Sequence, residues 1–185
     1  MKTRLKQASD KGKSPKSRLD MELRKAGLTH RHPPAPKDGN CLFHAMNDQL
    51  IRRGRVSQSA TKVRCDLVNY LRSNPTTPDG THFREFIKHR AWDTYLRRMA
   101  MDGEWGDWIA LWGLINMFEI PVAVVSSLGE TGLNIIHPGA GYENEATRDM
   151  ALLGHEAELH YHSLEPIAAQ KPLLRNQSKN TAKEK

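Results

Sequence analysis

The sequence has few cysteines and no long uninterrupted apolar run. Its two cysteines, Cys41 and Cys65, among 185 residues are too few for the disulfide framework of a small secreted protein. The N-terminus lacks the apolar core of a secretory signal, and polar residues and a proline interrupt the longest apolar stretch, 108–125. Since that stretch divides better into a helix and a strand than into a membrane span, we expect a protein of the cytoplasm, or also of the nucleus, with no membrane partner.

Metal and phosphate motifs are also missing. The sequence has no CxxC pair, and His160 and His162 supply two nitrogens without a third or fourth ligand nearby, which argues against a zinc site. The glycine-containing segment 129–134 lacks the Lys-Ser/Thr of a P-loop and the GxGxxG spacing. We therefore expect neither a metal nor a cofactor.

The basic charge of the chain is concentrated at its two ends. Residues 1–18 sum to +6 and residues 171–185 to +4, against +7 for the whole chain, so the middle carries −3. Because both ends also lack apolar periodicity, we predict disordered basic tails over 1–18 and 169–185 around one folded domain, 19–168. Nucleic acid is then at most an auxiliary partner of the tails.

Helical periodicity comes first along the chain and strand periodicity last. Apolar spacing and capping residues predict four helical regions: 41–53, 58–73 with Ser57 as its cap, 83–99 with one break, and 108–118 with Asp107 as its cap. Alternating β-branched runs predict three strands, 121–127, 133–137 and 158–164, with an irregular, substrate-facing loop at 138–157. This order indicates an α+β fold, with α/β/α layers and a small mixed sheet.

The stretch DGNC at 38–41 places Cys41 at the start of the first of these helices. Unpaired N–H groups and the positive end of the helix dipole favour a thiolate there, and Asn40 is a plausible N-cap. Gly39 permits a tight turn, so that the N–H groups of residues 39–41 converge on an oxyanion. Cys41 is therefore the candidate nucleophile, whereas Cys65, in mid-helix near an apolar face, is expected to be buried for packing.

A nucleophilic cysteine needs a base, and the sequence offers nine histidines. Five of them lie beside proline, glycine or Lys/Arg, where we expect solvated side chains: His30, His32, His82, His89 and His137. In ELHYHSL at 158–164 the period of two puts Glu158, His160 and His162 on one face. That face is either the solvent side of an edge strand, or it carries His160 as the base, with His162 or Glu158 accepting its other ring N–H.

Three segments taken together resemble the ovarian tumour (OTU) family of cysteine proteases, which are mostly deubiquitinases. They are DGNCLFHA at 38–45, WGDWIALWGLINMFEIPVAVV at 105–125 and LHYHSL at 159–164. The resemblance implies a papain-like OTU fold and ubiquitin or polyubiquitin conjugates as partners. It also implies hydrolysis of the isopeptide bond at the C-terminal glycine of ubiquitin through a thioester, without a cofactor. A monomer is our default expectation.

The resemblance assigns roles to particular residues. Cys41 resembles the nucleophile, His160 the base, and Asp38 the loop residue whose main chain helps to shape the oxyanion site. It further implies substrate-binding positions, namely Gly39, Asn40, Trp105 and Gly106.

The chain departs from the family pattern at two positions. His162 stands where the family usually has Asn or Asp, so His162 and Glu158 both stay open as the third catalytic residue, and His44 replaces a common arginine. The alternative function is therefore a catalytically weak or inactive ubiquitin-binding module of the same fold. Three acidic residues are candidates for steering the basic ubiquitin tail: Asp102, Glu104 and Asp107.

Overall fold

The computed structural model describes residues 14–55, 58–87, 91–129, 133–139 and 149–167. The helices in these ranges are α1 (Pro15–Lys25), α2 (Cys41–Arg52), α3 (Ala60–Ser73), a short 3₁₀ helix (Phe83–Phe86), α4 (Trp92–Met99) and α5 (Trp108–Phe118). The strands are β1 (Leu28–His30), β2 (Val122–Ser126), β3 (Leu133–Ile136), β4 (Ala151–Glu156) and β5 (His160–Pro166). None of the helices described is both long and apolar enough to cross a lipid bilayer.

The strands form one mixed sheet in the order β1-β5-β4-β2-β3. Strands β2 and β4 pair in parallel, and the other neighbours pair antiparallel. The predicted α+β fold with a small mixed sheet is thus confirmed. The register aligns His30 of β1 with Leu164 of β5, and Glu156 of β4 with His160 of β5, so β5 is an inner strand of the sheet with His160 as its first residue.

Each face of the sheet carries a helical layer. On one face, α2 to α5 enclose the main core, which includes Leu42, Leu67, Leu114 and Val124. On the other face, α1 contributes Leu19 and Leu23 to a smaller core with Leu28, Val125 and Leu164. Because side chains alternate along a strand, the sheet buries apolar groups on both sides, and the layers are α/β/α. We call the side covered by α1 the α1 face.

Strand alternation places the residues of β5 on opposite sides. Leu164 packs in the α1-face core, and a Cβ built on Gly154 of β4 lies close to both Leu164 and His162. Ser163 points the other way, where it accepts a hydrogen bond from Gln49 of α2. His160 and His162 therefore share the α1 face, which is the face that helix α1 covers.

Two predicted helix caps have different outcomes. Asp107 caps α5, since its carboxylate accepts the N–H of Ala110 at 3.0 Å, as predicted. The cap of α3 is Ser59, which accepts the N–H of Lys62 at 3.1 Å. Ser57 lies outside the described residues, and the prediction that it caps this helix is wrong because the helix begins at Ala60, two residues later than predicted.

Three elements of the structure differ from the sequence-based predictions. Residues 151–156, predicted as part of an irregular loop, form β4, whose apolar residues enter both cores. Helix α1 begins at Pro15, with Ser14 accepting the N–H of Ser17, so residues 15–18 belong to the fold and not to the tail. The short strand β1 was not predicted. The remaining residues of the predicted tails, 1–13 and 169–185, and residue 168 of the predicted domain lie outside the described residues.

Candidate active site

Cys41 is the first residue of α2 and is 9% exposed. Its Sγ accepts the N–H of Tyr161 at 3.4 Å. Burial raises the pKa of the thiol, and hydrogen bonds from the N–H groups of Tyr161, Leu42 and Cys41 itself oppose this rise without cancelling it. The raised pKa runs against the expected preference for a thiolate, because desolvation of the sulfur outweighs the N–H donors at the helix start.

The loop before Cys41 is organised by Asp38. One carboxylate oxygen accepts the N–H of Asn40 at 2.8 Å, and the other lies 3.0 Å from Nε2 of His44. Burial raises the pKa of Asp38, but the hydrogen bonds from Asn40 and His44 outweigh it and lower the pKa overall. Since the Asn40 N–H is committed to Asp38, it does not point at an oxyanion, and that part of the sequence-based prediction is corrected.

Asn40 occupies the N-cap position of α2 but makes no side-chain cap hydrogen bond. Its amide nitrogen donates to Asp102 at 3.1 Å, and its Oδ1 accepts from Gly103 N at 3.2 Å and from Arg64 at 2.6 Å. Asn40 is 7% exposed. Its assignment as a substrate-binding residue is therefore wrong for the side chain, which links two loops inside the protein.

Arg64 of α3 connects the same loops and was missed by the sequence analysis. Its guanidinium is buried, stacks 3.9 Å above the Phe43 ring, and donates to the carbonyls of Met99 at 2.9 Å and Glu104 at 2.6 Å. It thus holds the segment after α4 against the loop that precedes Cys41. An arginine on an amphipathic helix looks solvated in the sequence, so nothing local signalled this contact.

Two glycines allow the loops to approach one another closely. Gly39 has φ +81°, and a Cβ built there would lie 2.0 Å from the carbonyl oxygen of Gly103. A Cβ on Gly106 would lie 2.5 Å from Leu42 on α2. Both positions therefore require glycine, one for backbone conformation and contact, the other for contact alone.

His160 and Cys41 line the same cleft. The cleft has a volume of about 310 Å³, and its lining includes Cys41, Trp105, Gly106, His155, His160 and Tyr161. His160 is 6% exposed, and its ring hydrogen-bonds the main chain of Ala35. Burial lowers the pKa of His160, as does Lys37, while Glu156 opposes the shift. Thiol and neutral imidazole are the resting forms that these directions favour.

His162 lies behind His160 and not in the cleft lining. The two rings are 4.6 Å apart in an edge-to-face contact, and Nε2 of His162 is 3.5 Å from Oε2 of Glu156. Burial is the largest cause that lowers the pKa of His162, to about 3, and the neighbouring histidines add to it. His162 is therefore neutral at physiological pH.

Glu158, the rival candidate for the orienting role, does not lie on the strand. It has φ +59° in the turn between β4 and β5 and is exposed, so the predicted shared face holds for His160 and His162 but is wrong for Glu158, which lines the cleft from the turn. The carboxylate beside the His162 ring at this end of the sheet is that of Glu156, at the end of β4. His155, also missed, lines the cleft and stacks on Tyr161 at 4.7 Å.

Other sequence-based expectations concern residues around the site. His30 was expected to be solvated, but it is partly buried and lies 2.8 Å from Asp20. Cys65 was expected to be buried, but it is exposed. The three acidic candidates all have partners within the fold: Asp102 bonds Asn40, Glu104 pairs with Arg98 at 2.8 Å, and Asp107 bonds Ala110 and Tyr95. Within the described ranges, no group of three His, Cys, Asp or Glu is arranged to hold a metal.

A second groove adjoins the cleft. It has a volume of about 340 Å³ and shares Trp105 and Trp108 with the cleft, but neither Cys41 nor His160 lines it. Trp105 and Trp108 are 58% and 48% exposed. The two indole rings therefore form an apolar rim between the groove and the cleft.

Comparison with known proteins places this geometry in context. The sequence model of the OTU-like cysteine proteases matches residues 36–162. The chain is 30% identical over 129 residues to ovarian tumor domain-containing deubiquitinating enzyme 10 of Arabidopsis thaliana, which covers 70% of this chain and 33% of that protein. It is 32% identical over 102 residues to human OTU domain-containing protein 4, covering 55% of this chain and 8% of that protein.

Solved structures show the same fold. The OTU domain of OTUD1 superposes with a TM-score of 0.59 at 20% identity, covering 82% of this chain and 95% of that domain. An OTU deubiquitinase from Wolbachia pipientis bound to ubiquitin superposes with a TM-score of 0.56 at 17% identity, covering 77% of this chain and 98% of that one. The chain spans about a third of the length of the Arabidopsis relative, so these matches concern one domain.

Proposed function

Because the chain belongs to the family of OTU-like cysteine proteases, we propose that it is a thiol-dependent deubiquitinase. It hydrolyses the isopeptide bond between the C-terminal glycine of ubiquitin and a lysine, acts as a monomer, and needs no cofactor. One observation supports this proposal above the others: Cys41 at the start of α2 and His160 at the start of β5 line one cleft, and the N–H of Tyr161 bonds the sulfur.

In the first step His160 acts as general base. Because thiol and neutral imidazole are the favoured resting forms, the proton moves from Cys41 to His160 as the sulfur attacks the carbonyl carbon of the terminal glycine. The N–H of Asn40 is bound to Asp38, so the loop donors for the oxyanion are the N–H groups of Gly39 and Cys41, the latter released from the Cys41 sulfur once that sulfur bonds the substrate carbon. His160 then protonates the departing lysine amine, which leaves a thioester on Cys41.

In the second step water attacks the thioester, with His160 again taking a proton and returning it to the sulfur. His162 serves as the residue that orients His160, with Glu156 beside it. A buried carboxylate near this pair stabilises the imidazolium that forms during each proton transfer. The role given to Glu156 replaces the one considered for Glu158.

The substrate tail enters the cleft along the loop at Trp105 and Gly106. Gly106 and the half-exposed Trp105 both line the cleft, and the absence of a side chain on Gly106 lets this loop pack directly on Leu42. The diglycine end of ubiquitin, which carries no side chains, lies in this cleft, with Gly39 close by in the loop before the nucleophile.

A ubiquitin with a C-terminal electrophile tests the proposal directly. The wild-type protein should form a covalent adduct, seen as a mass increase of one ubiquitin. Cys41→Ala should abolish the adduct, whereas Cys65→Ala, at an exposed cysteine outside the cleft, should leave it unchanged. An adduct that persists in Cys41→Ala would refute the assignment of the nucleophile.

The base is tested with a matched pair of histidines in the same cleft. His160→Gln should lower kcat on a fluorogenic ubiquitin substrate by at least about 10²-fold, whereas His155→Gln should act mainly on KM. The reverse ranking would make His155 the base. If the wild type binds ubiquitin but forms no adduct and shows no turnover, the chain is the binding module that we considered as the alternative.

A further inference from the structure

The N-terminal segment reaches the candidate catalytic histidine through other histidines. His30 of β1 and His162 of β5 have ring centroids 4.6 Å apart at 68°, and His162 and His160 repeat this contact at 4.6 Å and 70°. We call these three side chains the histidine ladder. Its outer end is fixed by α1, since Nε2 of His30 lies 2.8 Å from Oδ1 of Asp20. Helix α1 is thus linked to His160 by a continuous row of contacts.

We propose that Asp20 and His30 are positioning residues, which hold His162 and through it set the orientation of His160. The proposal deepens the proposed function and rests on it. Both residues precede the part of the chain that matches the family model, 36–162. The helix that covers the α1 face therefore belongs to the functional unit and is more than a structural cover.

The geometry of the ladder explains why each member is needed. In an edge-to-face pair the positive edge of one ring meets the negative face of the next, so each ring restricts the rotation of its neighbour. His162 is nearly buried, with Glu156 3.5 Å away on one side and His30 on the other. The distance of 3.5 Å to Glu156 is at the upper limit for a hydrogen bond. Glu156 alone therefore does not fix the His162 ring, whose orientation depends on His30 as well.

Asp20 in turn fixes His30. With its Nε2 bonded to the carboxylate, His30 places Nδ1 in a buried position where the described residues offer it no hydrogen-bond partner. An imidazole in that position stays there because packing and one strong hydrogen bond hold it. Without Asp20 the ring is free to rotate out, and His162 loses one wall of its site.

The test is a double-mutant cycle between positions 30 and 162. An asparagine at 162 can hydrogen-bond through its own amide and has no ring for His30 to hold. His30→Leu should therefore lower kcat by about 10-fold to 100-fold in the wild-type background, with KM little changed, because His30 lies outside the cleft. In the His162→Asn background the same change should lower kcat less than about 3-fold.

Three further variants separate positioning from general structure. His32→Leu is the matched control, an exposed histidine two residues away, and should leave kcat unchanged. Asp20→Asn keeps an acceptor for His30 and should retain most of the activity that Asp20→Ala loses. Equal losses for His30→Leu in both backgrounds would mean a structural role and would overturn the proposal, as would an unchanged kcat in the wild-type background.

A readout without catalysis distinguishes this proposal from the proposed function. If the wild type forms no ubiquitin adduct, the proposed function fails, and ¹⁵N-detected NMR of the imidazole rings still decides on the ladder. His30→Leu should then shift or broaden the ring signals of His160 and His162, whereas His32→Leu should not. Ring signals that stay unchanged in His30→Leu would overturn the proposal on their own.

Discussion

Replacement of Arg64 by methionine should destabilise the protein and disorder the loop before Cys41. Methionine fills much of the space of the arginine stem but donates no hydrogen bond. The change leaves the carbonyls of Met99 and Glu104 without the donors that they have at 2.9 Å and 2.6 Å. It also removes the guanidinium from Asn40, whose Oδ1 keeps only its longer bond from Gly103 N.

The magnitude follows from these groups. A buried acceptor left without its donor costs about 1–3 kcal/mol, and this applies to the carbonyls of Met99 and Glu104, while the Gly39 carbonyl loses only a long contact of 3.4 Å. Part of the loss is offset because a buried guanidinium no longer has to be desolvated, an effect that also lowers the pKa of Arg64 in the native protein. We expect a net loss of about 2–4 kcal/mol in the free energy of unfolding, which corresponds to a decrease in Tm of roughly 5–15 °C.

The assay is urea unfolding together with turnover of a fluorogenic ubiquitin substrate. Arg64→Lys should be intermediate, because an ammonium cannot reproduce the planar fork that reaches two carbonyls and Asn40. Arg72→Met is the matched control on the same helix, since Arg72 is exposed and bonds Asn69, and it should stay within about 0.5 kcal/mol of wild type. Arg64→Met with unchanged stability and kcat would refute the reasoning.

Three other perturbations test the site and its support. Gly39→Ala should reduce stability by about 2 kcal/mol or more and abolish turnover, because its Cβ would meet the Gly103 carbonyl at 2.0 Å; an unchanged urea midpoint would contradict this. Asp107→Ala should cost about 0.5–2 kcal/mol through loss of the α5 cap on Ala110, measured by thermal unfolding, and an effect below this range would show that the cap contributes little. Because the pKa of His162 falls from 6.5 to about 3 on folding, the unfolded state binds more protons and stability is lost as pH falls from about 6.5 towards 3, by up to about 1.4 kcal/mol per pH unit. His162→Asn should flatten this dependence in urea titrations at several pH values, and equal slopes for variant and wild type would count against it.

The elements that the sequence predicted well are those with strong local signals. Helices α2 and α5 combine apolar periodicity with a start signal, and β2 is a short β-branched run after a proline. Strand β4 was missed because it contains a glycine and follows a segment rich in glycine and charge. Its apolar residues indicate a strand only once the two cores that they enter are known. Those cores are a property of the tertiary structure.

The candidate site shows the same division between local and tertiary information. Cys41 and His160 were identified from their neighbours, and they line one cleft. Arg64 and His30 were not, because a cationic or polar side chain beside other polar residues is usually solvated. Glu158 was placed on a strand because periodicity does not reveal where a strand begins, and a left-handed turn residue ends the pattern two positions before His160.

The pairing of β1 with β5 joins the first and last strands of the described fold, and this has a consequence for biosynthesis. Cys41 leaves the ribosome long before His160, and at translation rates of about 5–20 residues per second the gap is roughly 6–24 s. During that time the nascent chain carries Cys41 without His160, and β1 lacks β5, the strand with which it pairs. The cleft that Cys41 and His160 line therefore forms only after β5 has emerged and joined the sheet.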